Sequence, residues 1–307
     1  MLAVGYGFMR IDDIRTSDAG AKSLDIALVQ GNIDQSIKWN PNYQNETLNI
    51  YRDLSLEASA RRPGTKLIVW PETAAPFFFQ NIDEKHREIL SITERTNSYL
   101  LFGNPRYEGN YGSYVLKNSA YMVSPVGEIA GRYDKVHLVP FGEYVPLKGL
   151  LFFVDKLVAG IGDFKAGAGF ALIAINGDRI GVLICYEGIF PEISREYRLA
   201  GAGLLVNLTN DAWYGRTSAP YQHLTMVQFR AVENRLYIVR AANTGISAII
   251  GPDGAIKAQT SIFERAFING TVKIMEGSTF YSRNGDEFAW CVFAFTGMLF
   301  LFAVRRR

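Results

Sequence analysis

The sequence lacks the short motifs that mark common metal and redox sites. It contains no CxxC and no HExxH motif, and its three histidines, at positions 86, 137 and 223, are scattered along the chain. We therefore expect no metal site. The two cysteines, Cys185 and Cys291, lie in very different settings, so a disulfide framework is not expected either.

Strong charge imbalance, repeats and low-complexity segments are also missing. The net charge is +2, from 32 Lys and Arg against 30 Asp and Glu, and no basic run with interleaved aromatic residues occurs within the body of the chain. We therefore expect no nucleic-acid partner. The hydrophobic content of 48% predicts a globular chain with a large core, and 307 residues fit one large or two ordinary domains.

The N-terminus lacks the features of a secretory signal peptide. The apolar stretch Met1–Met9 is short, has no basic segment before it and no cleavage site after it. We interpret residues 1–22 as the remnant of a preceding membrane helix followed by a linker.

A single long hydrophobic run lies near the C-terminus. Phe288–Val304 comprises 17 residues without a charge, and three arginines follow it directly. As a helix it would extend roughly 26 Å, close to the ~30 Å hydrocarbon core of a bilayer. A buried helix of a soluble domain is the alternative, but the aromatic content and terminal arginines favour a transmembrane helix. The positive-inside rule then places the arginines in the cytoplasm and the body of the chain on the other side.

The region between these ends alternates between strand and helix patterns. This alternation, mixed with hairpins, predicts an α/β layered domain with mixed sheets over residues 23–275. Residues 276–307 would then form a linker and the C-terminal transmembrane helix. Predicted strands are Ser23–Val29, Leu67–Trp70, Tyr99–Phe102 (ended by Gly103), Ser119–Val123, Glu128–Lys135, Arg179–Ile184, Leu204–Leu208, Leu236–Ala242 and Ile246–Ile250, and predicted helices are Asn45–Ala60, Asp83–Asn97, Phe190–Ala200 and a segment containing Leu224, Val227, Ala231 and Val232.

Two further segments are more apolar than ordinary loops. Ala74–Phe79 places three phenylalanines after a proline, and Pro146–Ile161 carries only three charges. Both segments could pack into the core. Alternatively, they could dip into a bilayer or line an entrance for an acyl chain, and the sequence favours neither interpretation.

The stretch Arg179–Glu192 has the pattern of a nucleophile elbow. An apolar strand ends at Ile184, Cys185 follows it, and Gly188 and Pro191 lead into a helix. A thiol at such a turn projects from the edge of the sheet, where the next backbone N–H, that of Tyr186, could face an oxyanion. A buried core cysteine is the alternative interpretation.

Two other chemically active side chains follow predicted strands. Glu72 follows the strand that ends at Trp70, and Lys135 ends the strand that begins at Glu128. If these strand ends meet near Cys185, the carboxylate could accept the thiol proton and the ammonium could stabilise the resulting negative charge. Each residue alone would more often be ordinary solvated surface.

Four ordered motifs resemble the nitrilase (carbon–nitrogen hydrolase) superfamily. They are WPET at 70–73, DKVHLVPFGEYVP at 134–146, CYEGIFPE at 185–192 and NDAWYG at 210–215. Within this superfamily the chain is similar to the apolipoprotein N-acyltransferase family of bacterial enzymes, from about Asp25 through the C-terminal run. The resemblance implies a nitrilase-like αββα sandwich with a C-terminal transmembrane helix and no cofactor.

The resemblance also implies a set of site residues. The catalytic triad of the family corresponds to Glu72, Lys135 and Cys185. An additional essential glutamate corresponds to Glu143, and a Tyr–Glu pair after the nucleophile corresponds to Tyr186 and Glu187. Two substrate-loop tryptophans correspond to Trp39 and Trp213, for which simple packing is an equally good interpretation.

The activity implied by this family is a two-step acyl transfer. A phospholipid donates an acyl chain to Cys185 as a thioester, and the N-terminal amine of a diacylglyceryl-cysteine lipoprotein then accepts it. The expected location is the bacterial inner (plasma) membrane, with the catalytic domain on the periplasmic or outer side.

The sequence departs from the family in one respect and leaves two other functions open. Relatives carry a bundle of membrane helices before the catalytic domain, whereas only Met1–Met9 has that character here. A truncated product, a fragment and one half of a split enzyme are all compatible with this. A soluble-type amidase or nitrilase, and a membrane-tethered binding module that has lost catalysis, are the alternative functions.

Overall fold

The computed structural model describes residues 2–109, 113–146 and 164–306. Most of the apolar segment Pro146–Ile161 therefore lies outside the described residues. The strands are β1 (Lys22–Gln30), β2 (Leu67–Val69), β3 (Tyr99–Glu108), β4 (Val115–Val123), β5 (Ile129–Asp134), β6 (Ile173–Ile175), β7 (Asp178–Ile184), β8 (Leu204–Thr209), β9 (Tyr237–Ala242), β10 (Ala248–Ile250), β11 (Ile256–Gln259) and β12 (Ala266–Ile274). The helices are α1 (Leu2–Gly20), α2 (Gln44–Arg61), α3 (Glu84–Thr96), α4 (Pro191–Leu199), α5 (Ala219–Asn234), α6 (Phe280–Asn284) and α7 (Glu287–Arg305).

The strands form two six-stranded mixed sheets. One has the order β12-β1-β2-β3-β4-β5 and the other the order β11-β10-β9-β8-β7-β6. In each sheet three strands run parallel, β1–β2–β3 in the first and β7–β8–β9 in the second, while the outer pairings are antiparallel. The parallel strands direct their carboxyl ends to one edge of each sheet, which is where ligands bind in such folds.

The two sheets pack face to face, with helices on their outer faces. The inner core joins residues of the first sheet, such as Leu28 and Val69, to residues of the second, such as Val182 and Val206. A second core lies between the first sheet and helices α2 and α3, and includes Tyr51 and Ile89. Helices α4 and α5 cover the outer face of the second sheet. This arrangement confirms the predicted αββα sandwich.

The prediction for β3 was wrong at its C-terminal end. The strand does not stop at Gly103 but continues to Glu108. It pairs antiparallel with β4 from Leu100 to Glu108, and this pairing holds the residues beyond Gly103 in the sheet. Gly103 is a packing position rather than a terminator. A Cβ atom there would lie 2.6 Å from the Cα atom of Glu72, so only glycine permits this approach.

The apolar segment Ala74–Phe79 belongs to the core. Ala74, Ala75 and Phe79 are almost fully buried, and the Phe79 ring packs edge-on against Phe102, with centroids 5.1 Å apart. This outcome favours the packing interpretation over a bilayer-dipping loop. The predicted helical segment is part of α5, in which Leu224, Val227 and Ala231 are buried and Val232 is exposed.

The C-terminal run forms helix α7, whose side chains are exposed along its length. It has 19 residues, and within the described part of the chain it is the single helix long and apolar enough to cross a membrane. At 1.5 Å per residue it extends about 28 Å, close to the hydrocarbon thickness. The N-terminal helix is longer than the apolar stretch Met1–Met9, because α1 continues to Gly20.

Candidate active site

Cys185 occupies a sharp turn directly after strand β7. It is the first residue of a 3₁₀ turn, Cys185–Ile189, that leads into α4, and its φ angle is +54°. This left-handed conformation is unfavourable for a residue with a side chain and persists where surrounding contacts enforce it. Here the carbonyl oxygen of Cys185 accepts hydrogen bonds from Nδ2 of Asn207 and from Nε2 of His223, each at 3.3 Å. The predicted elbow is therefore present.

A buried charged cluster supports this turn from behind. Asp211 Oδ2 accepts a hydrogen bond from Arg240 at 2.7 Å, and Asp211 Oδ1 lies 3.0 Å from Nδ1 of His223. Burial alone would raise the pKa of Asp211, but the Arg240 guanidinium and His223 hold it well below its usual range. Asp211 is thus a permanent carboxylate that orients the histidine contacting Cys185.

The thiol of Cys185 is protonated at rest. Burial, followed by the negative charge of Glu72, raises its pKa to about 12, although Lys135 acts in the opposite direction. A neutral thiol is a weak nucleophile, so attack on a carbonyl requires a base that takes the proton as the reaction proceeds. The nearby carboxylate of Glu72 is the residue suited to this task.

Glu72 lies on a tight turn after β2 and lines the same pocket as Cys185. Its Oε1 accepts a hydrogen bond from Nδ2 of Asn118 at 2.8 Å, and its Oε2 accepts one from the backbone N–H of Asn210 at 3.1 Å. The next residue, Thr73, has a φ angle of +50°, and Gly103 provides the room for this turn. These contacts fix the direction of the carboxylate.

Lys135 and Glu143 form a close ion pair within the pocket. Lys135, only 1% exposed, places Nζ 2.8 Å from Oε2 of Glu143 and 3.8 Å from Oε1 of Glu72. Burial alone would lower the pKa of Lys135, but these two carboxylates raise it above its ordinary value. Asn118 joins the two acids, because its Nδ2 also donates to Oε1 of Glu143 at 2.7 Å. Lys135 is therefore an ammonium at neutral pH.

Glu187 is fully buried and ties the lysine loop to the nucleophile elbow. Its Oε1 accepts hydrogen bonds from the backbone N–H groups of Val136 and His137 at 2.8 and 3.0 Å, and its Oε2 accepts one from Ile184 at 2.8 Å. These partners directly follow Lys135 and directly precede Cys185. Glu187 thus acts through the backbone and is absent from the pocket wall.

One pocket of about 430 Å³ collects the predicted residues. Glu72, Lys135, Cys185 and Glu143 all line it, although they come from distant parts of the chain. Of the other predicted residues, Trp39, Trp213 and Tyr186 also line this pocket and Glu187 does not; further lining residues are Val139, Pro140, Phe164 and Tyr214. Neither tryptophan is a core residue, since Trp213 is 47% exposed and Trp39 is half-buried. The pocket thus combines a charged floor with an apolar and aromatic rim.

Three features of the site were not predicted from the sequence. Lys38 is buried in the pocket, Asn118 bridges the two acids, and Asp211 anchors the cluster behind Cys185. Asn118 lies between Lys117 and Ser119 in strand β4, so its polarity alone does not distinguish it. Lys38 lies in a polar loop and offers no signal either.

Comparisons with known proteins agree with the observed fold. The Carbon-nitrogen hydrolase family model matches residues 25–276. The solved carbon-nitrogen hydrolase from Helicobacter pylori is similar in fold, with a TM-score of 0.66 at 16% identity, covering 82% of this chain and 90% of that one. An amidase from Nesterenkonia sp. has a TM-score of 0.62 at 19% identity, covering 88% of this chain and 96% of that one. The chain belongs to the carbon–nitrogen hydrolase family.

Two curated relatives are more similar in sequence to this chain than these solved structures are. A protein of Geobacter metallireducens named apolipoprotein N-acyltransferase is 50% identical over 307 residues, which is 100% of this chain and 58% of that protein. One of the same name from Nitrosomonas europaea is 35% identical, over 97% of this chain and 57% of that protein. The chain therefore spans somewhat more than half the length of these relatives.

Proposed function

We propose that this chain is the catalytic portion of an apolipoprotein N-acyltransferase. It transfers an acyl chain from a phospholipid, through a thioester on Cys185, to the N-terminal amine of a diacylglyceryl-cysteine lipoprotein. The observation that carries this proposal is the convergence of Glu72, Lys135 and Cys185 on one pocket with an apolar rim. The names of the relatives supply the substrate class.

In the first step the thiol of Cys185 attacks the sn-1 ester carbonyl of the phospholipid. Glu72 accepts the thiol proton as the carbon–sulfur bond forms, and the carbonyl oxygen becomes an oxyanion stabilised by the Lys135 ammonium and the Tyr186 backbone N–H. The tetrahedral intermediate collapses by breaking the ester carbon–oxygen bond. Glu72 returns its proton to the leaving alkoxide, giving a lysophospholipid and the thioester.

In the second step the lipoprotein amine attacks the thioester. Glu72 accepts a proton from the amine, an amide bond forms, and the carbon–sulfur bond breaks. The departing thiolate takes the proton back from Glu72, which restores the resting site. Glu143 holds the Lys135 ammonium in place through both steps.

The membrane location and division of the chain follow the same proposal. Residues 23–275 form the catalytic domain, residues 276–307 a linker and transmembrane helix, and residues 1–22 a helix and linker that precede the catalytic domain. The exposed apolar surface of α7 and its terminal arginines support insertion into the inner membrane with the catalytic domain on the periplasmic side.

Intact-mass spectrometry of the full chain tests the first step. The chain in detergent micelles is incubated with phosphatidylethanolamine of one acyl composition and should gain the mass of one acyl group. The adduct should be released by hydroxylamine, as expected for a thioester, and should be absent from Cys185→Ala. Adding a diacylglyceryl-cysteine peptide should discharge it and produce the N-acylated peptide.

Two results would contradict the proposal. If a folded sample forms no adduct with phospholipid although thiol reagents label Cys185, no acyl-enzyme forms and the proposed first step is wrong. Release of ammonia from small amides at a rate abolished by Cys185→Ala would instead indicate the amidase or nitrilase alternative.

A further inference from the structure

Lys38 is a second lysine inside the candidate active site. It lies in the loop after β1 and is only 2% exposed, yet it lines the same pocket as Cys185 and Glu72. Its Nζ donates a hydrogen bond to the backbone carbonyl oxygen of Glu72 at 3.2 Å. Lys38 thus reaches the catalytic glutamate through the backbone and leaves the carboxylate uncovered.

The surroundings of Lys38 differ from those of Lys135. Lys135 has carboxylate oxygens at 2.8 and 3.8 Å, whereas no carboxylate of the described residues lies within 4.0 Å of Lys38 Nζ. A buried ammonium without a paired carboxylate is costly, and a purely structural role would be expected to satisfy more of its three donors. The Lys38 ammonium is therefore available to interact with a negative charge that forms only during a reaction.

The charges of the pocket favour this assignment. Its floor carries two carboxylates, Glu72 and Glu143, and the ammonium of Lys135, so these three groups alone sum to a net negative charge. When Cys185 attacks, the proton moves to Glu72 and a new negative charge forms on the substrate oxygen. With Lys38 protonated these charges sum to zero before and during the step, and without it they sum to one negative charge at both stages.

We propose that Lys38 is a further catalytic residue, whose ammonium stabilises the negative charge that forms at the Cys185 sulfur and at the carbonyl oxygen it attacks. This inference rests on the proposed role of Cys185 as nucleophile. Lys135, held by Glu143, and Lys38 then both place a positive charge in the pocket that Cys185 lines.

The protonation of Lys38 adds a measurable signature. Burial lowers its pKa to about 8, while the charges of Glu72 and Cys185 act in the opposite direction. Because charge interactions are reciprocal, protonated Lys38 also favours the thiolate of Cys185. The other titratable groups that line the pocket are Lys135, Glu143, Tyr186 and Tyr214. The stabilisation of the Cys185 thiolate by Lys38 is therefore present below about pH 8 and decreases as the pH rises above that value.

Alkylation of Cys185 by iodoacetamide tests this without a lipid substrate. The full chain in detergent is compared with Lys38→Met, Lys38→Arg and the control Lys66→Met, in which an exposed lysine loses the same charge. Adduct formation at Cys185 is followed by peptide mass spectrometry at several pH values. We expect Lys38→Met to slow alkylation about tenfold near pH 7, with the difference shrinking above about pH 8. Lys38→Arg should keep the faster rate at high pH, and Lys66→Met should match the parent chain.

The outcomes separate this inference from the proposed function. Equal alkylation rates in the parent chain and in folded Lys38→Met would overturn the role of Lys38 and leave Cys185 as nucleophile. A rate difference that does not change with pH would indicate a structural role and also overturn it. No adduct at Cys185 in any folded variant would overturn both the nucleophile and the inference.

Discussion

The ammonium of Lys135 lies 2.8 Å from Oε2 of Glu143 but 3.8 Å from Oε1 of Glu72. The resting ion pair of the site therefore joins Lys135 to Glu143. The Glu72 carboxylate is oriented by Asn118 and the Asn210 backbone and remains able to accept a proton. In the proposed reaction Glu143 therefore has a role of its own, which is to pair with Lys135 and leave the Glu72 carboxylate available.

Replacing Glu143 by glutamine should therefore impair chemistry more than folding. The neutral amide removes the closest counter-ion of Lys135. The ammonium should then shift toward Glu72 and pair with its carboxylate, which becomes a weaker proton acceptor. Loss of a charged hydrogen bond of this kind corresponds to a decrease in rate of about 10- to 100-fold. We expect thioester formation at Cys185 to slow by that factor, measured by intact mass against time. The control Glu128→Gln removes an exposed carboxylate and should leave the rate unchanged; equal rates in both variants would contradict the ion-pair assignment.

Gly103→Ala should destabilise the protein and disturb Glu72. An added Cβ would lie 2.6 Å from the Cα atom of Glu72, so β3 and the glutamate turn would have to separate. Overpacking of this kind costs about 1–3 kcal/mol in unfolding free energy. Chemical denaturation in detergent measures the change. Gly169→Ala is the matched control, because an added Cβ there meets nothing within 4 Å, and similar stability of the two variants would contradict the packing argument.

Lys38→Met should stabilise the chain at neutral pH. The folded-state pKa of about 8 lies below the ordinary value of 10.5, so the unfolded chain binds the proton more tightly and burial of the charge opposes folding below about pH 8. This difference corresponds to about 3 kcal/mol, since one pKa unit is 1.36 kcal/mol. Thermal denaturation should show a higher Tm for the variant at pH 7, with the gain declining between about pH 8 and pH 10.

The opposite result has a clear meaning. A lower Tm for Lys38→Met at every pH would indicate that the hydrogen bond to the Glu72 carbonyl outweighs the cost of the buried charge. Lys66→Met provides the reference, since an exposed lysine contributes little to folding.

The sequence indicated the fold and three catalytic candidates because each candidate follows a predicted strand. Glu72 and Lys135 follow β2 and β5 of the first sheet, Cys185 follows β7 of the second, and all three line one pocket. Gly103 was misjudged because a glycine in a strand can mark either an end or a close approach. The neighbouring segment that requires the approach, the Glu72 turn, is distant in sequence.

Lys38 and Glu187 show what local patterns cannot supply. A lysine in a polar loop is normally solvated, and its burial here depends on packing around a pocket built from several loops. Glu187 was grouped with the site residues by its position after the nucleophile. Its actual role, linking the Lys135 loop to the Cys185 elbow, follows from hydrogen bonds that span about fifty residues.

Trp213→Ala should separate lipid binding from thiol chemistry. The indole lies on the pocket rim and is 47% exposed, so its removal should change the unfolding free energy by no more than about 0.5 kcal/mol. If the rim holds the acyl chain, thioester formation from a long-chain phosphatidylethanolamine should slow about 5- to 10-fold, while iodoacetamide alkylation of Cys185 stays unchanged. Short-chain donors should show a smaller effect because they bury less apolar area. Tyr43→Ala, which removes a partly exposed aromatic side chain away from the pocket, is the control, and an equal loss with both donors would assign Trp213 to the chemical step rather than to the acyl chain.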